Sequence, residues 1–457
     1  MQAAVCYRRL QWPKTEIQPE AILSRYPDQF SALLEDPSGS GRKFLISRTG
    51  KTIALRHDQS HRPSGFLDYW RRVSQQRSQH QDASHAVQAL VYAAYEAGGL
   101  VESLPAAKSA IDGPLFWLHE PDWSCCFIPK DEILHIACAR ESLGRKATES
   151  KLDGIEAMLR SAWYGEERHF EISEAISEIG DPAAYRHSVH EAKTYIVAGD
   201  VFQANIARYW QMPCDAGSAL LLYRRLRQVN PAPFSAYVDL GEGSNRLQII
   251  SASPERLFRI SGDGYVDTRP IAGTRQRGAG EQDRSLRAEL LLSEKERAEH
   301  IMLVDLERND LGRVCQPGSI EVNEHMTVER YSTVQHIVSN VRGRLAEGRD
   351  IVDVFQAMFP GGTITGCPKL RCMEIIHELE PCARGPYTGS VGYMAWDGSA
   401  DMNILIRTFW HHQGMLRWSA GAGIVADSDA DSELSETEYK AAGLLQALGN
   451  QVSSPGT

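Results

Sequence analysis

The chain has 457 residues, 42% hydrophobic and 24% charged, with a net charge of −10, an ordinary balance for a globular protein with a large core. No Lys/Arg-rich block stands out and no run of about 18 apolar residues exists, which argues against a nucleic-acid partner and against a membrane span. The first residues, MQAAVCYRRLQWPKTEIQPE, lack the apolar core of a secretory leader, so the expected location is cytoplasmic. Nine cysteines, an odd number without a C-x-x-C, support neither a zinc site nor a redox motif and read as reduced thiols.

The length admits two or three domains, or one large two-lobed domain. The first 140 residues are the less regular part. LLEDPSGSGRKFLISRTG predicts two strands about a Pro/Gly/Ser turn, and HAVQALVYAAYEAGGLVESL predicts a helix, with Val87, Leu90, Val91 and Ala94 apolar and a stop at Gly98-Gly99. FWLHEPDWSCCFIP and EILHIACAR predict strands. The polar stretch ARESLGRKATESKLDGIEAM reads as a passage across a boundary.

From about residue 180 the signals sharpen. DPAAYRHSVHEAKTYIVAGDVFQANIARYWQMP predicts a helix, a Gly199-Asp200 turn and a strand; LQIISASPERLFRI predicts two strands about Ser253-Pro254. GCPKLRCMEIIHELEP predicts a helix with Pro368 in its first turn, Leu370, Met373, Ile376 and Leu379 on its apolar side, and Pro381 at its end. RTFWHHQGMLRWSAGAGIV predicts a hairpin turning at Gln413-Gly414. Hairpins mixed with helices favour a large α+β architecture with antiparallel sheet.

Two carboxylate pairs carry the chemistry. Glu296 and Glu299 in SEKERAEHIMLVDLERNDLG, and Glu433 and Glu436 in GAGIVADSDADSELSETEYKAAG, each stand at i,i+3 in a helical pattern, which puts both carboxylates on one face. A solvated face accounts for one such pair. Two pairs beside Gly-rich or Thr-rich loops suggest a hard cation held by oxygen. FPGGTITGCPK is not a phosphate loop, because Cys367 and Pro368 follow Gly366 where Lys and Ser/Thr are required. It still offers an anion free N–H groups and a helix start. Arg407 alternates with apolar residues and either projects into a cavity or pairs with a carboxylate. His336, in an apolar run, reads as a core histidine, and Lys440 one turn after Glu436 reads alone as a surface lysine. Together these features imply a small, acidic, polyoxygenated substrate.

SASPERLFRI, RPIAGTRQRG, ERAEHIMLVDLERNDLGR, VQHIVSNVRG, FPGGTITGCPKLRCMEIIHELEP, GPYTGSVGY, DMNILIRT and SAGAGIVADSD, in this order, resemble the chorismate-utilising enzymes. That family includes component I of the aminodeoxychorismate and anthranilate synthases and the isochorismate and salicylate synthases. The resemblance implies a large two-lobed antiparallel β-sandwich with surrounding helices, an N-terminal subdomain over 1–150 and a chorismate-binding catalytic domain over 180–448.

It also implies Mg²⁺ held by Glu299 and Glu436, with Glu296 and Glu433 acting through water or orienting these ligands. Arg407, Lys440, Tyr387 and the backbone of Gly421, Ala422 and Gly423 are expected to bind carboxylates, and Thr363 to touch substrate. Glu255 is expected to be the general acid for the departing C4 hydroxyl, with His336 near that hydroxyl. Ala272 and Thr274 of PIAGT belong to the catalytic motif. Water-using members carry a lysine base at the position of Gln203; a neutral amide cannot deprotonate water, so ammonia is the expected nucleophile. Ala272, where many aminodeoxychorismate synthases carry lysine, points towards anthranilate synthase. GGTITG, the short chain and ALLEDPSG in place of a tryptophan-feedback motif point towards aminodeoxychorismate synthase. With no glutaminase segment after LLQALGNQVSSPGT, ammonia is expected from a separate glutamine amidotransferase subunit, component II.

Overall fold

The computed structural model describes residues 5–13, 18–35, 41–57, 63–102, 104–105, 112–139, 145–162, 170, 175–241, 243–276, 280–330 and 334–449. Two antiparallel sheets form its centre. The first runs, neighbour to neighbour, through Val5–Gln11, Ile133–Ala139, Trp123–Ile128, Lys43–Ser47, Phe30–Glu35, Phe234–Leu240, Leu247–Ser253, Thr408–His412, Met415–Ile424, Gln203–Pro213 and Gly366–Cys367, with Ser177–Ile179 also on Gln203–Pro213. The second runs through Ile271–Gln276, Val334–Arg344, Tyr265–Thr268, Arg256–Ile260, Ala400–Asn403, Ser390–Ala395, Val87–Ala93, Phe116–Pro121 and Gly50–Leu55, with Glu321–Arg330 on Val334–Arg344. Both sheets draw strands from the first 140 residues and from beyond residue 200.

Period-2 alternation explains the layering. Phe44 and Ile46 of one strand, and Leu247 and Ile249 of another, join a core shared by both sheets, together with Tyr92, Trp117 and Tyr393 from the second. Leu45 and Ile250 point the other way, into a core beneath helices Ala219–Val229 and Ala430–Leu448. The far face of the second sheet packs on Pro63–Ser74 and Ile351–Met358 through Trp70, Phe116 and Phe355. The fold is therefore a sandwich with helices on both outer faces, as the α+β reading requires.

Most predicted elements are present. Helix Pro182–Ala198 starts where the Asp181 carboxylate accepts from Ala184 N at 2.7 Å, and it stops at Gly199, whose φ of 85° favours glycine. The hairpin of Thr408–His412 and Met415–Ile424 turns at Gln413-Gly414. The strands flanking the Pro/Gly/Ser turn form, although residues 36–40 of that turn lie outside the described residues. All nine cysteines are free thiols, five of them buried.

Three expectations change. His85–Leu104 is not a helix but strand Val87–Ala93 followed by a 3-10 helix, Tyr95–Leu100. Ala89, Val91 and Ala93 enter one core and Leu90 and Tyr92 the other, so both faces are apolar and the alternation that marks a strand is erased. The polar passage holds a helix, Arg145–Ser161, which buries Leu152, Ile155 and Leu159; residues 140–144 lie outside the described residues. The helix after Pro368 spans Lys369–Leu379, so Pro368 caps it from outside, and Leu370 is exposed and not on the apolar side.

Candidate active site

Strands Gln203–Pro213 and Met415–Ile424 of the first sheet and Ile271–Gln276 and Val334–Arg344 of the second, with helices Glu294–Gly312 and Ala430–Leu448, supply the walls of a cavity of about 380 Å³. That volume suits a small molecule. The two helices begin at the cavity. Ser293 caps the first by accepting from Glu296 N at 3.3 Å, and Asp429 caps the second by accepting from Ser432 N at 2.9 Å. Glu296 and Glu433 thus lie in the first turns, where the helix dipole favours negative charge, Glu299 and Glu436 follow one turn later, and all four line the cavity. Burial raises the pKa of Glu299, and Glu296 and Glu436 raise it further. Charges from both pairs, far apart in sequence, therefore act on Glu299 across one cavity. Carboxylate oxygens of this kind suit a hard divalent cation such as Mg²⁺.

Cationic groups face this set. Lys440 Nζ lies 2.7 Å from Glu436 Oε1 and donates to Gly421 O at 3.0 Å. Arg407 lines the cavity from the connection between Ala400–Asn403 and Thr408–His412, at φ 50°. A left-handed arginine is strained by about 1 kcal/mol, which marks a residue held for its position. It sits in a turn, not in the strand that its apolar neighbours suggested.

Glu255 sits in the break between Leu247–Ser253 and Arg256–Ile260, 7% exposed, and its Oε1 accepts from Thr363 Oγ1 at 2.6 Å. Burial raises its pKa to about 7, against the lowering effects of Thr363, Lys440 and Arg407. At neutral pH this carboxyl therefore holds a proton part of the time, as a general acid must. His336 also lines the cavity; burial, then the neighbouring Arg407, lowers it to about 4, so the imidazole is neutral. Tyr387 is buried and its phenol is pushed up by burial, so it remains protonated.

Gln203 Nε2 donates to Glu299 Oε1 at 3.2 Å, and its Oε1 is buried without a hydrogen-bond partner. Two glycines make room for such side chains. A Cβ on Gly423 would lie 2.1 Å from Gln203 Nε2, and one on Gly421 would lie 2.5 Å from Asn205 Oδ1 and 2.8 Å from the Tyr387 hydroxyl. Ala272 lines the wall. Ala422 does not: its side chain turns into the core between the two glycines. Thr274 pairs with His336 across the strands, and its side chain lies outside the described residues.

Asn205 and Ser419 were not anticipated. Both line the cavity, and Asn205 Oδ1 and Ser419 Oγ are buried without hydrogen-bond partners. Each lies two residues from a predicted site residue on the same strand, so the alternation of a strand was the signal. With Gln203 Oε1 they form a wall of unmet polar atoms, which a polyoxygenated ligand can satisfy.

The two-sheet sandwich, and a cavity that gathers acids, cations and a proton-bearing carboxyl, define a class. Residues 29–446 match the family model of the chorismate binding enzymes, and the chain belongs to that family. It is 49% identical to aminodeoxychorismate synthase component 1 of Bacillus subtilis over 265 residues, 58% of this chain and 55% of that protein, so it spans about half of that relative's length. It is 43% identical to anthranilate synthase component 1 of Thermus thermophilus over 361 residues, 78% of this chain and 76% of that one. Its fold is that of anthranilate synthase component I from Streptococcus pneumoniae, with a TM-score of 0.77 at 30% identity over 88% of this chain and 91% of the other.

Proposed function

We propose that the chain is component I of an aminodeoxychorismate synthase, converting chorismate and ammonia to 4-amino-4-deoxychorismate. The observation that carries the ammonia chemistry is Gln203, a neutral amide hydrogen-bonded to Glu299 in the wall of a cavity that also holds the protonatable Glu255, while GGTITG and ALLEDPSG favour aminodeoxychorismate synthase within that chemistry. Activating water needs a base that an amide cannot be, whereas ammonia brings its own lone pair.

In this reading Arg407 and Lys440 bind the two carboxylates of chorismate, with the backbone of Gly421 and Gly423 and the Tyr387 hydroxyl completing the cradle. Glu296, Glu299, Glu433 and Glu436 hold Mg²⁺, which when bound supplies positive charge for a substrate carboxylate and polarises the ring. Thr363 orients the Glu255 carboxyl, which passes its proton to the C4 hydroxyl as the C–O bond breaks, and water leaves. Neutral His336 hydrogen-bonds in the region of that hydroxyl. The ammonia nitrogen forms the new bond at C4 and then loses a proton. The relatives' designation as component 1 supports a second component, in this reading a glutamine amidotransferase that supplies the ammonia. Among the described residues no helix is long and apolar enough to cross a membrane.

A second reading, anthranilate synthase, is favoured by Ala272, which leaves space at the wall and no amine at that position. The test is the product of the purified chain with chorismate, Mg²⁺ and ammonium, coupled to a separate aminodeoxychorismate lyase. Lyase-dependent p-aminobenzoate is the expected product. Anthranilate formed without the lyase, as sole product, selects the second reading.

A further inference from the structure

Away from the cavity, a second group of metal-ligating side chains bridges the two sheets. His85 ends a 3-10 turn, Ala83–His85, that leads into Val87–Ala93 of the second sheet, and Asp82 precedes that turn. His135 lies on Ile133–Ala139 of the first sheet, between Arg9 and Cys126 of the neighbouring strands. One ligand atom from each of the three lies within 4.8 Å of the other two, and His135 Nδ1 is 3.7 Å from Asp82 Oδ1.

One further observation points to a ligand, and two more fit the neutral imidazoles that a metal requires. His135 is 5% exposed, and its Nδ1 is buried with no hydrogen-bond partner, a state that is costly unless something takes the nitrogen. The rings of His85 and His135 are stacked, with centroids 4.3 Å apart and planes 8° from parallel, which two imidazolium ions would not tolerate. Burial, then the His85 ring, lowers His135 to about 4, while burial and Arg42 lower His85; both are neutral at pH 7, the form that ligates metals. The charges facing the pair balance: Asp82 and Asp397 against Arg42 and Arg9.

We propose that Asp82, His85 and His135 bind a borderline divalent transition-metal ion such as Zn²⁺ or Co²⁺. Two imidazoles and one carboxylate suit such ions, whereas Mg²⁺ prefers the all-oxygen set of the cavity. Donor atoms around tetrahedral zinc stand about 3.4 Å apart, so separations of up to 4.8 Å close by as much as about 1.4 Å. The half-buried His85 ring turns out of the stack, so that its in-plane lone pair meets the other two donors. The bound ion ties the turn entering the second sheet to a strand of the first, and its ligands include no cavity residue.

The test titrates the chelator-treated full chain with Co²⁺, and separately with Zn²⁺, in excess Mg²⁺, read by cobalt absorption in the visible and by calorimetry. A single equivalent is expected to bind. Affinity should fall more than about tenfold in His85→Ala and in Asp82→Asn, and be retained in the Glu299→Gln, Glu436→Gln double variant. His85 and Asp82 are partly exposed, so these variants test the site without emptying the core; His135→Ala, checked for folding by its thermal melt, should also lose the ion. No binding in excess Mg²⁺, binding indifferent to His85 and Asp82, or binding lost only in the Glu299, Glu436 variant would each overturn the proposal.

Discussion

At the scale of single residues, Glu255 links stability to chemistry. Its folded pKa, about 7, lies above the ordinary 4.5 because the carboxyl is buried. Between those values the folded chain holds a proton that the unfolded chain has released. The stability this group contributes is therefore whole below about pH 4.5 and is lost as pH rises through 7. Glu255→Gln removes the penalty with the acid. The variant is expected to lose roughly 10²–10⁴-fold in kcat. It should also gain as much as ~3 kcal/mol of stability over the parent at pH 8 and almost none at pH 4. Thermal melts at the two pH values, beside initial rates, check both halves, and a variant that is inactive but no more stable at pH 8 contradicts the burial account. In the parent enzyme kcat/KM should fall as pH rises above about 7, as Glu255 gives up its proton.

Single residues also mark what could be read in advance. The four glutamates were visible as two i,i+3 pairs, but nothing in that spacing told that the pairs converge, which is a property of how two helices start at one cavity. Arg407 was singled out for the wrong local reason, since a strand pattern cannot reveal a left-handed turn.

At the scale of elements, the strand Met415–Ile424 serves the site by what it omits. Its glycines at 421 and 423 let the side chains of Asn205 and Gln203, from the partner strand, lie over the backbone. Gly423→Ala places a methyl 2.1 Å from Gln203 Nε2, so the amide must leave its bond to Glu299. We expect destabilisation of about 1–3 kcal/mol and a loss of turnover larger than that of Gln203→Ala, measured by melts and rates on both variants. Equal rates in Gly423→Ala and the parent would show that the amide is free to move. Elements with one wet face, such as helix Pro182–Ala198, and those with strong turn residues, such as the hairpin at Gln413-Gly414, were readable. Val87–Ala93 was not, because a strand buried on both faces carries the same apolar run as a buried helix. Simple alternation puts Asn205 on the face of Gln203 and Ser419 on that of Gly421, so both are legible in the sequence.

At the scale of the whole molecule, both sheets are built from strands on either side of residues 150–180. Phe30–Glu35 pairs with Phe234–Leu240, and Val87–Ala93 with Ser390–Ala395. A fragment of residues 180–448 keeps every residue of the cavity yet exposes the edges of Phe234–Leu240 and Ser390–Ala395 and half of the shared core. It is expected to be insoluble or aggregated when produced alone, and active only when co-produced with residues 1–150. Size-exclusion chromatography and circular dichroism of the fragment check this, and a monomeric, cooperatively melting fragment would contradict it.

The pairing of Val87–Ala93 with Ser390–Ala395 also sets an order of events in synthesis. Ala93 leaves the ribosome about 300 residues before Ser390, its partner in the ladder. At ordinary elongation rates that is on the order of 15–60 seconds in which an apolar strand waits with one edge unfilled. Contacts so distant along the chain make folding slow and late, because the loop must close before the contact rewards it. For this sandwich, shielding of the nascent chain through that interval is therefore expected to raise the yield of folded protein.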